Sequence, residues 1–472
     1  MKETLLKIKD SKAVNIIKDV LSWKFFPFVT AVIIVAFYYL NLDMVSIYYI
    51  GITGILSVLL LDDLTPLFSN FLFMCIMVSF DHSPSVTAGE SDFYLQPEII
   101  VQVALVIVFY AAAIFARIAI NAHQGKIRLT PVFWGLVAFA GALVLNGAFS
   151  YRYNPMNLVY GLFLAFFFLV IYVLMKDNVT CSEETYEKIA FSFLALSAAL
   201  ILELAVKYLT CDELFINGKI NRIELGFGWG MYNTMGMLML LCAPSIFFLA
   251  GKSKYGYLYY LYALILLVST FLTMSRQAMV GSAIIYLICI IFLLVNGKNK
   301  IINLCITVAA AIVGIIVLCV YWDKFEVLLE VLLNNIDSAN GRTTLWEEAW
   351  NNFKDAPLFG TGFYVELEND PGFPGLKIIP DMYHNTFFQL IGSCGIVGVI
   401  AYVVHRAQTI ISFIKNPTPE RTFIGITVLA LLILNLFDNH LFYILPTLIY
   451  SALTSVLIKS QNNKSFLIPN KK

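Results

Sequence analysis

The sequence predicts an all-α polytopic membrane protein, with about 12–14 transmembrane helices and one large extracytoplasmic insert. Three observations lead there. Of the 472 residues, 60% are hydrophobic and only 13% charged, where a soluble domain carries about 25% charged residues. Mean hydropathy is +0.80. Apolar runs long enough to cross a bilayer, about 20 residues, recur along the chain. Hydrocarbon offers no hydrogen bonds to a backbone, so such runs must be helical or close into a barrel. A barrel would show short alternating strands; these runs are continuous.

Residues 1–24 carry Lys2, Lys7, Lys9, Lys12, Lys18 and Lys24 among Leu5, Ile8, Val14, Ile17 and Leu21. This pattern predicts a basic amphipathic segment lying on anionic headgroups, without the cleavage site of a secretory leader. The expected spans are 25–41, 45–61, 66–80, 98–116, 131–149, 157–175, 188–208, 232–250, 256–273, 277–295, 301–321, 385–404, 422–437 and 440–458. Helices 1–11 thus occupy 25–321, the insert 322–384, helices 12–14 residues 385–458, and a tail 459–472. Loops on one side hold Arg117, Lys126 and Arg128; Lys176 and Lys188; Lys252 and Lys254; Lys298 and Lys300; His405, Arg406, Lys415 and Arg421; and the tail lysines. Loops on the other side are poorer in cations. The positive-inside rule therefore places both termini in the cytoplasm of a multi-pass cell-membrane protein and the insert outside.

Lys plus Arg equal Asp plus Glu, 31 each, so nothing points to nucleic acid. Cysteines sit mostly in apolar runs, as small hydrophobes. Cys181 and Cys211 fall in loops on opposite faces, and no disulfide or zinc spacing appears. Asp62, Asp63, Glu366, Glu368, Asp370 and Asp381 form no convincing metal set, so neither metal nor cofactor is expected. Glu203 and Lys207, four apart, are expected to neutralise each other.

The chemistry concentrates at the outer face. In the insert, Asp337–Gly341 is a turn cluster. A helix is expected from about Thr344, with Glu347 completing a capping box. Leu345, Trp346, Ala349, Trp350 and Phe353 would share a face, and Pro357 with Gly360-Thr361-Gly362 would end the helix. Arg342, just ahead, would set a guanidinium beside free N–H groups, an anion site; alternatively it pairs with Asp337 or Glu347. Arg276, in Thr273-Met274-Ser275-Arg276-Gln277, is the one charge between Lys254 and Lys298. Charges at membrane depth usually face a cavity or partner, though an arginine can snorkel to headgroups. His384, at the membrane boundary beside Tyr383 and Asn385, can hold and release a proton, or can simply sit at a helix cap. Arg222 precedes a glycine- and aromatic-rich stretch, 226–231, leading to Tyr232-Asn233. Arginines match phosphate oxygens bidentately. Two of them, with a histidine base, would suit glycosyl transfer from a lipid diphosphate.

Arg342-x-x-x-Trp346-x-x-Ala349, Pro357-Leu358-x-Gly360-x-Gly362, and His384-Asn385 followed by Leu390, Gly395 and Gly398 resemble, in this order, the O-antigen ligase and polymerase superfamily. Thr273-x-Ser275-Arg276 with Gly281, and Tyr232-Asn233, fit as well; the likeness covers roughly 220–405. It implies a GT-C-like, metal-independent membrane glycosyltransferase. Such an enzyme moves glycan from undecaprenyl diphosphate to a saccharide, lipid or protein acceptor in cell-surface polysaccharide biosynthesis. By that resemblance His384, Arg276 and Arg342 are catalytic, and Arg222, Asn385, Tyr383 and Asn233 bind substrate. The bilayer, the lipid-linked donor, the saccharide acceptor and, for a polymerase, a chain-length regulator would be its partners. The alternative is a flippase or exporter of lipid-linked oligosaccharide, which would place charges near mid-membrane in two related halves.

Overall fold

The structure is a computed structural model describing residues 11–77, 97–124, 130–216, 219–225, 232–322, 326, 342–366, 378–380, 382–415 and 417–465. The Asp337–Gly341 turn, the 226–231 stretch, Glu368, Asp370 and Asp381 lie outside the described residues. The helices are α1 (Lys12–Ser22), α2 (Phe26–Tyr39), α3 (Asp43–Leu60), α4 (Leu67–Met77), α5 (Pro97–His123), α6 (Pro131–Phe149), α7 (Pro155–Asn178), α8 (Glu183–Thr210) and α9 (Tyr232–Lys252). They continue as α10 (Gly256–Leu272), α11 (Arg276–Asn296), α12 (Lys300–Val320), α13 (Arg342–Asp355), α14 (Thr386–Gln389), α15 (Gly395–Ile414), α16 (Pro419–Leu434) and α17 (Ile444–Ser465). Two antiparallel ladders, β1 (Phe215–Ile216) with β2 (Lys219–Ile220) and β3 (Tyr364–Glu366) with β4 (Ile378–Pro380), decorate the turns.

The protein is a polytopic all-α membrane protein. Each of the fourteen apolar stretches overlaps helix, and 385–404 takes in two helices and the turn between them. Among the described residues nine helical units are long and apolar enough to span a membrane, or ten if α1 and α2, bent by 85° at their junction, count as one span. The number falls below 12–14 because several helices are short. Helices such as α10, with 17 residues, and α16, with 16, reach only about 25 Å against a hydrocarbon core of about 30 Å.

Helix α9 is the centre: 89% of its apolar window is buried, and it packs on α8, α10, α11 and α16. Successive helices run up and down, so turns gather at two ends. At one end Leu64 N donates to Asn178 O, Lys298 N donates to Gly251 O, and Lys252 pairs with Glu183 and Glu420. The other end carries the insert. His405 and Arg406, expected in a loop, instead lie buried inside α15, which continues to Ile414. Lys207 acts on the Glu203 charge, as expected, but their hydrogen bonds go elsewhere. Glu203 accepts from the Tyr39 hydroxyl at 2.5 Å, and Lys207 donates to Glu224 O at 3.1 Å.

One feature of α15 prepares the site. Between α14 and α15 the chain makes a π-helical turn, Leu390–Cys394, ending at Gly395 with φ 61° and ψ −162°. The widened turn frees backbone groups, and the 356–362 segment after α13 takes them. Thr361 N donates to Gly392 O at 3.0 Å and Gly362 N to Ser393 O at 3.1 Å; Ile396 N donates to Pro357 O at 2.9 Å. Asn146 of α6 reaches the same seam, donating to Phe359 O at 2.7 Å and to Ser393 O. The insert is thus hydrogen-bonded into the membrane domain backbone to backbone. Gly395 occupies a region open essentially to glycine alone, costing other residues about 1–3 kcal/mol. A Cβ there would lie 2.6 Å from Leu358 C and O. Gly395→Ala is expected to destabilise by at least that amount, read as a lower unfolding temperature of the detergent-purified chain; an unchanged temperature would contradict the docking.

Candidate active site

Helix α13 begins at Arg342, two residues earlier than the capping-box pattern suggested, so Thr344 lies inside the first turn. Its packed face also differs. Ala349 and Asn352 are buried, while Trp350 is 46% exposed. Ala349 lies against Gly392 of the π turn, where an added Cβ would come within 3.1 Å of Ala349 Cα. Trp346, one turn after Arg342, stacks on Phe388 at 5.0 Å between centroids and 6° between planes. Its indole donates to Tyr383 O at 3.1 Å.

Tyr383 is fully buried. Gln389 Oε1 accepts from its backbone N at 3.0 Å, and Asn352 Nδ2 donates to its hydroxyl at 2.7 Å. Arg152 donates in turn to Asn352 Oδ1 at 3.3 Å. Asn385 caps α14, accepting from Phe387 N at 2.8 Å and Phe388 N at 3.3 Å, and its Nδ2 donates to Leu436 O at 2.7 Å. Both residues, expected to bind substrate, make these hydrogen bonds within the protein and flank His384 in the chain.

His384 lies between them. With its neighbours held, it takes φ 49°, a left-handed backbone that costs a side chain about 1–2 kcal/mol. Such strain persists where the surroundings over-determine it, commonly at functional positions. The ring is partly open, its side chain 41% exposed, and Nδ1 stands 3.1 Å from Asp438 Oδ1. Burial alone would raise the Asp438 carboxyl. The His384 hydrogen bond, the nearby His440 and His384 rings and the Asn439 N–H outweigh it and hold the group down at about 2. Asp438 is therefore ionised and can only accept, so Nδ1 of His384 carries the hydrogen between them and Nε2 is the ring nitrogen left for proton exchange.

Sequence reasoning missed Asp438 and its neighbours. The run Asn435-Leu436-Phe437-Asp438-Asn439-His440 links α16 to α17 and is cross-tied to α14. Thr386 N donates to Asn435 O at 2.9 Å, and Asn439 Nδ2 donates to Gln389 Oε1 at 2.5 Å. A polar run between two apolar stretches was the available signal.

The same run brings in Arg276. His440 is wholly enclosed, which lowers its basicity despite Asp438. Its Nε2 lies 3.2 Å from Gln277 Nε2, whose N–H can donate to it. Arg276, half-buried, is the first residue of α11 and immediately precedes Gln277. Ser275 donates to Asn233 Oδ1 at 3.0 Å, fixing the start of α9 against the same turn. The structure thus connects the Arg276, His384 and Asn233 segments through Gln277, His440 and Asp438, and the Arg342 helix through Trp346 and Tyr383. The Arg222 backbone belongs to a short 3₁₀ helix, Arg222–Leu225, packed on α8 and α9. Among the described residues no group of three or more His, Cys, Asp or Glu is close enough to hold a metal ion.

Chemically, the site offers an imidazole nitrogen backed by a carboxylate, at the end of the molecule where two half-buried arginines begin helices. Residues 261–403 match the family model Wzy_C, O-antigen ligase. The matched segment runs from α10 through the insert into α15 and contains Arg276, Arg342 and His384. It supports the O-antigen ligase and polymerase superfamily that the motifs resemble. No curated protein matches the chain.

Proposed function

We propose, with the O-antigen ligase match over residues 261–403 as premise, that this glycosyltransferase moves a glycan from undecaprenyl diphosphate to a saccharide acceptor. The observation that carries the reading is the His384–Asp438 pair, 3.1 Å apart. His384 Nε2 takes the proton of an acceptor hydroxyl. That oxygen bonds to the anomeric carbon of the donor as the carbon–oxygen bond to the diphosphate breaks. The electron pair leaves with the lipid diphosphate, and the imidazolium, steadied by Asp438, later returns its proton to solvent or to the leaving group.

Arg276 and Arg342 would meet the charge that grows on the departing diphosphate. Both start helices, where the dipole favours an anion, and a guanidinium fork matches phosphate oxygens. Asn233 and Arg222 are assigned to the substrate approach, and Tyr383 and Asn385 to support of His384. The insert end is read as extracytoplasmic because short loops at the opposite end hold most of the lysines and arginines.

A deletion strain tests the reaction class. Accumulated lipid-linked single repeat units are expected from loss of a polymerase, and finished lipid-linked chains from loss of a ligase. Unchanged lipid-linked pools would contradict the proposal, and donor trapped on the cytoplasmic leaflet would make the protein an exporter instead.

A further inference from the structure

Far from the insert, a cavity of about 580 Å³ opens between α11, α15 and α16. Its walls are mostly apolar, built from residues such as Ile288, Phe292, Ile410 and Leu429, with Asn296, Thr409 and Thr422 as the uncharged polar members, none of them hydrogen-bonded to Arg406. Val295, Ile410 and Leu429 are exposed, so the groove faces lipid sideways. One charged side chain lines it, Arg406. Arg406 is 6% exposed, and its Nε, Nη1 and Nη2 have no hydrogen-bond partner among the described residues. The guanidinium lies instead against the Tyr402 and Tyr450 rings, at 4.6 and 4.3 Å from their centroids. The Tyr450 hydroxyl is occupied by His405 Nε2 at 2.8 Å.

A guanidinium does not shed its proton in a protein. Aromatic faces attract its charge but do not accept its in-plane N–H groups. Five donors therefore meet an apolar groove with nothing to receive them. Depth suits a lipid. His405 packs at the first turn of α6, where an added Cβ on Gly135 would come within 3.2 Å of His405 Cα. The α14–α15 unit, Thr386–Ile414, has 29 residues, about 43 Å of helix against a hydrocarbon core of about 30 Å. Its last turns can therefore extend towards water and leave Arg406 within reach of a headgroup drawn inward, as buried membrane arginines do.

We propose that this groove binds one anionic phospholipid, an acyl chain along the apolar wall and the phosphate oxygens on Arg406. The site is separate from the His384 face and does not depend on the reading of that face.

The test is native mass spectrometry of the full chain purified in neutral detergent, with phosphatidylglycerol or phosphatidylcholine added back. The wild type is expected to retain one phosphatidylglycerol at least tenfold better than phosphatidylcholine, whose headgroup carries its own cation. Arg406→Gln should lose that preference. Leu429→Trp keeps the charge and fills the groove; it should lose the lipid itself, and it serves should Arg406→Gln fail to fold. Equal retention of the two lipids, or an unchanged preference in Arg406→Gln or unchanged retention in Leu429→Trp, would overturn the proposal. So would displacement of the lipid by millimolar inorganic phosphate, which would mark a site for a free anion.

Discussion

His384→Ala abolishes surface glycan while leaving the protein inserted, with transfer by the purified enzyme falling about 10²–10⁴-fold, the range expected on removing a positioned general base. Donor binding should change little, because in this account the imidazole meets the acceptor hydroxyl. Asp438→Asn should fall in the same direction. An amide can offer an N–H where the carboxylate could only accept, and the ring then turns its lone pair the wrong way, the fault that disables a serine-protease triad on the same change. Retained glycan in cells carrying His384→Ala, at wild-type protein levels, would remove the base from the mechanism.

The second large effect belongs to the arginines. Arg276→Ala and Arg342→Ala should each lower transfer by about 10²–10³-fold, as loss of one preorganised charge-stabilising group does, and should also weaken retention of the lipid diphosphate. Arg→Lys should recover only part of the loss, since a point charge does not reproduce the bidentate fork. The check is initial rate together with donor binding on the purified chain, run with and without chelator. Wild-type rates in both alanine variants would rule out the diphosphate contacts, and rates abolished by the chelator would give the charge-stabilising part to a metal.

Much of the fold was legible because a lipid-facing helix needs only a long apolar run, and α6 matches its expected stretch at both ends. The start of α11 was legible too, since a lone arginine in a tight turn stands out against hydrocarbon. Side-chain pairing was not. His384 and Asp438 lie 54 positions apart, and the residues around Asp438 were absorbed into the facing ends of the 422–437 and 440–458 stretches. The π turn was hidden for a related reason. Gly395 and Gly398 stood out as motif positions, whereas Gly392 and Gly395 let the insert's own backbone close on a broken helix. Trp350 was assigned to the packed face because it is apolar at the right spacing; the structure gives that side to Asn352, which holds the Tyr383 hydroxyl.

Photo-crosslinking with a prenyl-diphosphate glycan whose label sits beside the diphosphate tests the convergence on which the account depends. Labelled peptides should come from three segments at once, 273–277, 342–346 and 382–389. Label confined to one of them, or recovered from residues 419–422 at the start of α16, at the opposite end, would show that no common site exists around the leaving group.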